Sequence, residues 1–408
     1  MQSYRIERLG HQGDGVAEGP VFAPRTLPGE VVTGQLTDTR LSDIRIDMPS
    51  SHRVQAPCRH YKSCGGCQLQ HADDGFVADW KGGVVAQALA AQGLQAPMRA
   101  IQTSPPASRR RASFAVKRTK KGALVGFHGR ASDTIVDVPD CHLVRPSLLQ
   151  ARAGFADLAR LGGSRKGALS VTVTDSLEGL DVAVAGGKPL DGPLESALAQ
   201  VAGQLGLARL AWDGEVIAQR APPDQPFGPA RVTPPPGAFL QATAEGEAAL
   251  LAAVQEIVGD ARRVVDLFAG CGTFSLPLAA RAEVHAVEGE RVMMRALDHG
   301  WRHAQGLKQV TTEPRDLFRR PLMPDELARF DAAVIDPPRA GAEAQVAELA
   351  QAQLPVIAYV SCNPVTFARD AKTLVQAGYS LNWVQVVDQF RWSSHVELAA
   401  GFSLAHIG

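Results

Sequence analysis

The chain has 408 residues, too many for one ordinary domain, so two or three are expected. A hydrophobic share of 45% and a charged share of 21% exclude a disordered chain. Its 42 basic and 42 acidic residues cancel, so no whole-protein field announces nucleic acid, and any such binding must come from local patches.

No apolar run of about 18 residues occurs, so a membrane-spanning helix is not expected. The opening MQSYRIERLGHQGDG lacks the apolar core of a signal peptide, so a cytoplasmic protein with reduced thiols is expected. Residues 1–55 carry short alternating segments (YRIERLG, GVAEGPVFAPR, GEVVTGQLTDTR, DIRIDM) between Gly and Pro turns, which predicts a small OB-like β-barrel. Next comes CRHYKSCGGCQLQH, with Cys58, Cys64 and Cys67 close together and Cys141 remote. Four thiolates suit either a zinc ion or an iron–sulfur cluster. The three-plus-one layout lies nearer to cluster spacing than to the paired C-x2-C of a zinc ribbon.

A helix over about 72–100 follows, with Phe76, Trp80, Val84 and Ala88 at helical spacing and Val85 and Leu89 beside them, although Gly82-Gly83 argue against it. The rest of 56–235 reads as mainly β. ASFAVKRTKKGALVGFHG predicts a hairpin; ALSVTVTD and GLDVAVAG predict strands. The hairpin region carries Arg109, Arg110, Arg111, Lys117, Arg118, Lys120 and Lys121, a concentration that suits phosphate contacts. Tyr61 and Phe114 are the nearest aromatics for stacking on single-stranded RNA. The proline-rich APPDQPFGPARVTPPPG reads as a boundary.

Residues 236–408 alternate β and α. RVVDLFAG, AEVHAVE, FDAAVIDPP and LPVIAYVSC predict parallel strands wound with helices. Gly270-Cys271-Gly272 turns from strand to helix, and Glu288 ends the next strand, where an acid commonly takes a ribose hydroxyl pair. A dinucleotide site and an S-adenosylmethionine site both fit, and Asp266 before the loop favours a cationic ligand. Asp336 in VIDPPRAG and Cys362 in YVSCNP both end strands, the edge where ligands sit in open α/β sheets. A lone cysteine there is more often inert than reactive. From spacing alone, Glu397 in SSHVELAAGF reads as a solvated edge carboxylate.

Together these motifs resemble the bacterial RNA (uracil-5-)-methyltransferases. FLQATAEG, DLFAGCGTFSLPLA, DPPRAG, YVSCNP and HVE follow in that family's order, and CRHYKSCGGC with PDCHLV resembles its iron–sulfur ligands. The N-terminal unit is similar to the TRAM domain of one 23S ribosomal RNA branch. The resemblance implies three parts: a TRAM-like barrel over 1–55, a mainly β iron–sulfur and RNA-binding domain over 56–235, and an α/β class I (Rossmann-like) methyltransferase domain over 236–408. It implies S-adenosyl-L-methionine and a [4Fe-4S] cluster on Cys58, Cys64, Cys67 and Cys141. It makes Cys362 the nucleophile, Glu397 the proton acceptor and Asp336 the group orienting the base. Gln241, Phe268, Gly270, Thr273, Glu288, Asp316 and Asp336 then line the cofactor and uracil pocket. Thr243 and Thr273 stand where the family or some members have Asn. Phe239 or Phe268 offers an apolar face to an extruded base. A monomer acting on 23S rRNA is expected. The alternatives are the same chemistry on tRNA, an amino-group methyltransferase using Asp-Pro-Pro, disfavoured by Arg339 in the fourth place, or an RNA-binding factor with an inactive domain.

Overall fold

The computed structural model describes residues 2–19 and 21–404. Strands Ser3–Leu9, Gly15–Ala17, Val21–Ala23, Val31–Thr37 and Arg40–Met48 close into a barrel. Alternation places Ile6, Ala17, Val32 and Leu41 inside it. The expected small barrel is therefore present.

A seven-stranded sheet fills the middle of the chain. It includes the expected hairpin Arg111–Arg118/Ala123–His128 and the strands Leu169–Ser176 and Gly179–Ala185. Helices Arg152–Gly162 and Gly192–Gln204 cover it and were not anticipated. Their buried residues do carry helical spacing, Phe155, Leu158, Ala159 and Gly162 in the first, and they pack on Phe114, Val116 and Val171.

The C-terminal sheet has eight strands, in the order Val310–Pro314, Glu283–Glu288, Arg263–Leu267, Ala332–Ile335, Val356–Ser361, Leu398–Leu404, Tyr379–Asp388 and Gln102–Thr103. The first five are parallel; Leu398–Leu404 runs antiparallel between its neighbours. The end of the expected final strand, Ala405 to Ile407, lies outside the described residues. Chain order reverses direction between Arg263–Leu267 and Ala332–Ile335, which opens a crevice at their C-terminal ends. Phe227, Ala230 and Val232 of the proline-rich stretch already pack in this sheet's core.

The helix Asp74–Ala91 forms despite Gly82-Gly83, starting from an Asp73 cap that accepts from the Phe76 N–H. A Cβ at either glycine would meet nothing, so neither is there for packing. The buried stripe is Val77, Lys81, Val85 and Leu89, one step round from the one expected. Val85 and Leu89 enter the same core as Phe367 of the helix Pro364–Gln376. This helix and the strand Gln102–Thr103 thus serve the C-terminal sheet. Among the described residues no helix is long and apolar enough to cross a membrane.

Candidate active site

Strand register assembles the site. Ser361 pairs with Leu398, so the next residue on one strand, Cys362, faces the preceding residue on the other, Glu397. Ile335 pairs with Tyr359, which sets Asp336 at the same edge. Because Leu398–Leu404 runs antiparallel, its beginning lies at the edge where the parallel strands end. Asn363 then caps the next helix through the Val365 N–H, with Pro364 in its first turn, so the chain turns sharply beside the thiol. Cys362 is half-buried and lines a cleft of about 870 Å3 shared with His11 and Arg40 of the barrel, Arg130 and Arg339.

Glu397 is 3% exposed, so it is not the solvated edge carboxylate that spacing suggested. Its partner is Gln389, which sequence reasoning missed. The Gln389 Oε1 accepts from the Ala242 N–H at 2.7 Å. That fixes the amide's orientation, and its Nε2 donates to Gln241 Oε1 at 2.5 Å and to Glu397 Oε2 at 3.2 Å. Gln241, expected in the pocket, is thereby tied to Glu397. Thr243 is buried. Its hydroxyl caps the helix Ala244–Val258 through the Gly246 N–H and lies 2.7 Å from Ser104 Oγ. Thr243→Ala is expected to cost about 1 kcal/mol in urea unfolding and Thr243→Asn only a few tenths. Weakened cofactor binding at unchanged stability would contradict that role.

The glycine loop sits on the other side of the crevice. Phe268 has φ 63, a left-handed backbone rare for an aromatic residue, and its ring lies 5.4 Å from Phe318. Gly272 has φ 95, and a Cβ there would come within 2.8 Å of Leu297, so only glycine fits. Gly270 N–H donates to Glu288 Oε2 at 3.2 Å, joining loop and acid, and Thr273 is half-buried in the same turn. Asp316, after the strand Val310–Pro314, accepts from the Phe318 N–H and shapes that wall. Cys271 is buried in the core.

Carboxyls crowd this crevice. Asp266 is fully buried; Ser275 Oγ donates to its Oδ2 at 2.5 Å while its Oδ1 has no partner. Burial pushes its carboxyl up to about 7, against Ser275. Burial and Asp266 raise Asp336. Burial and Asp336 raise Glu397, while the Gln389 amide and Arg339 oppose the rise. Burial, Glu397 and Asp336 push the Cys362 thiol up to about 11, so the free protein holds it neutral. The orphaned Asp266 Oδ1 suits a cationic group such as an ammonium.

That electrostatic state has a measurable sign. Asp266 titrates higher folded than the roughly 3.9 of an unfolded aspartate, so its stabilising contribution is complete below about pH 4 and is lost as pH rises through about 7. The melting-temperature difference, wild type minus Asp266→Asn, is expected to fall between about pH 4 and 7 in the ligand-free protein. A difference that grows over that window would contradict it.

The four remote cysteines line one cavity of about 290 Å3. Among the described residues no three His, Cys, Asp or Glu side chains stand close enough to hold a single metal ion. Burial pushes Cys67 up to about 12, and Cys141, Cys64 and Cys58 add to the rise. Arg109 and Arg111 line the same cavity, each with its Nε buried and unpartnered. These two were expected on a phosphate-binding surface and instead face the thiols. Arg110 is 4% exposed and ion-paired with Glu247, so it is not free for RNA either. Lys120 and Lys121 are exposed, and Lys117 and Arg118 partly so. Tyr61 and Phe114 are buried, the first hydrogen-bonded to the Gln68 carbonyl and His71, the second in the sheet core, so neither stacks on RNA. Phe239 is 61% exposed and available.

A glycine loop and an acidic strand end flanking the reversal of a wound parallel sheet define a nucleotide-type ligand site of an open α/β fold. The sequence model of the tRNA (Uracil-5-)-methyltransferase family matches residues 302–405. An uncharacterised RNA methyltransferase of Rhizobium meliloti is 45% identical over 404 residues, 97% of each chain. The 23S rRNA (uracil(1939)-C(5))-methyltransferase RlmD of a Shewanella species is 32% identical over 99% of this chain and 96% of its own. The crystal structure of the Pyrococcus abyssi tRNA (uracil-54, C5)-methyltransferase with S-adenosyl-L-homocysteine superposes at a TM-score of 0.77, at 22% identity, over 98% of this chain and 99% of its own. The chain belongs to the RNA (uracil-C5)-methyltransferase family, enzymes dependent on S-adenosylmethionine.

Proposed function

We propose that this enzyme methylates carbon 5 of a uridine in 23S rRNA, with Cys362 as nucleophile, Asp336 orienting the ring and Glu397 removing the proton. The observation that carries this reading is the convergence of these three residues on one sheet edge, with Cys362 open to the 870 Å3 cleft. S-adenosylmethionine supplies an electrophilic methyl on a sulfonium. Asp266 Oδ1 would meet its ammonium, Glu288 its ribose, and Gly270, Phe268, Thr273, Asp316 and Gln241 the remaining walls.

Carbon 5 of uracil is a weak nucleophile. The Cys362 thiol gives its proton to solvent in the open cleft as the sulfur adds to carbon 6, and the carbon 5–carbon 6 electron pair shifts onto carbon 5 and the carbon 4 oxygen, making carbon 5 enolate-like. Once carbon 5 has taken the methyl, Glu397 removes its proton and the carbon–sulfur bond breaks, which restores the ring double bond and frees Cys362. The raised Glu397 pKa suits a base that must hold a proton and release it near neutrality. The base reaches the site only when extruded or already unstacked, at a cost of a few kcal/mol.

A [4Fe-4S] cluster fits the donor set better than zinc. Four thiols share one cavity in a three-plus-one order nearer to cluster spacing than to a zinc ribbon, and the unpartnered Arg109 and Arg111 Nε groups suit an anionic occupant. The cluster would staple 58–67 to Cys141; methyl transfer itself moves no electron. Protein purified without oxygen is expected to contain about four irons and four sulfides per chain, and Cys67→Ser to lose them. Stoichiometric zinc instead would contradict this. The barrel is read as a TRAM-like RNA module, and Lys117, Arg118, Lys120 and Lys121 remain as phosphate contacts. A monomer in the cytoplasm completes the proposal.

The RlmD relative supports 23S rRNA, whereas the matching family description and the Pyrococcus structure name tRNA. Mapping 5-methyluridine in both RNAs from a deletion strain separates the two. Loss confined to 23S rRNA is expected; loss confined to tRNA would transfer the same chemistry to that substrate.

A further inference from the structure

Lys81 is 0% exposed, and nothing in the chemistry above uses it. Its Nζ donates to Asp388 Oδ1 at 2.6 Å and to the Phe390 carbonyl at 3.2 Å, across 307 residues of sequence. Asp388 Oδ1 also accepts from the Phe390 N–H at 3.1 Å. The two residues flanking Gln389 are therefore clamped to one another and to the N-terminal helix. Gln389 is the side chain that holds Glu397. A buried ion pair is a poor stabiliser, since matched apolar residues are often as stable or more so. What such a pair can do better is fix one geometry.

We propose that Lys81 is a positioning residue for proton removal: from the helix Asp74–Ala91 it sets the Asp388–Phe390 turn, and through it the Gln389 amide that holds the Glu397 carboxylate. Three further contacts tie the N-terminal part to the same segment. The Gln68 and Leu69 N–H groups donate to the Trp392 carbonyl at 2.8 and 2.9 Å, and Arg391 pairs with Asp74. Gly246 leaves room on the opposite side, since a Cβ there would come within 2.7 Å of the Gln389 Cβ. Gln389 is thus packed from both sides with its amide in one orientation. A loosened turn would let the amide swing and the carboxylate drift. Attack by Cys362 would be spared, because its strand end is set by the Ser361–Leu398 register. The step that fails is the last one, so methylated RNA should stay bonded to the enzyme.

The proposal rests on Glu397 being the base, and the test separates the two. Lys81→Met, Asp388→Asn and the double variant Lys81→Met/Asp388→Leu are compared with wild type and Glu397→Gln, using unmodified substrate RNA and S-adenosylmethionine. The double variant removes both charges and guards against simple unfolding. The readouts are melting temperature, kcat, KM for S-adenosylmethionine, and covalent RNA–protein complex on a denaturing gel. In the variants that fold, kcat is expected to fall about tenfold or more with KM within about twofold, and the covalent complex to accumulate. A purely structural Lys81 would lower the melting temperature without trapping complex. A folded double variant that turns over at the wild-type rate, while Glu397→Gln traps complex, overturns the proposal and leaves the base in place. A Glu397→Gln enzyme that turns over normally removes both.

Discussion

Cys362→Ala is expected to cut turnover by at least about 10^4-fold while leaving S-adenosylmethionine affinity within about threefold. The size follows from the chemistry. Without a bond to carbon 6, carbon 5 has no enolate character, and none of the neighbouring groups replaces it. The sparing of affinity follows from the geometry, because the thiol opens onto the 870 Å3 cleft while the glycine loop lies across the crevice. Folding should change little. The free protein keeps Cys362 as a neutral thiol, so alanine removes no charge from the carboxyl cluster. Steady-state methyl transfer and calorimetry check both halves. Alanine with near-normal turnover would mean that no covalent step exists.

Glu397→Gln is expected to slow turnover by about 10²- to 10⁴-fold, the usual worth of a positioned base, and to leave methylated RNA attached to Cys362. Glutamine keeps the size of the side chain but cannot take the proton, so the carbon–sulfur bond cannot break. The wild-type pH profile should carry the same signature. Burial and Asp336 raise the Glu397 pKa, so kcat should rise with pH as this carboxyl loses its proton. Gln389 opposes that rise by donating to Oε2, so Gln389→Leu should move the acidic limb to higher pH as well as lowering the rate. A limb that moves to lower pH would reverse the sign and contradict the role given to the amide.

Much of the fold and part of the site can be read from sequence, for reasons visible in particular residues. Gly270 and Gly272 punctuate a strand-to-helix turn, and Asp336 and Cys362 each end an apolar run, so their placement at a sheet edge follows from local pattern. Glu397 does not, because its burial comes from an antiparallel strand inserted between two others, and no local spacing records that. Gln389 sits one residue beyond a strand end and is defined by partners near 241 and 397. Lys81 left a trace, a lysine in phase with Val77, Val85 and Leu89, but Gly82-Gly83 weakened the helix that would have exposed it. The run Arg109–Arg111 misled in the opposite direction. A charge run reads as surface unless its strand is known to pass through the interior, where these residues meet thiols and Glu247. The helices over the central sheet went unread because the flanking β alternation is the stronger pattern.

Cys362 is expected to bond to carbon 6 of a uridine. The enzyme can be incubated with S-adenosylmethionine and substrate RNA carrying 5-fluorouridine, in which fluorine replaces the hydrogen that the base must remove. Digestion and mass spectrometry then locate the adduct. One methylated fluorouridine nucleotide on the peptide containing Cys362, absent from Cys362→Ala, is the expected result. Methylation of the normal RNA with no adduct on Cys362 from the fluorinated one would contradict it.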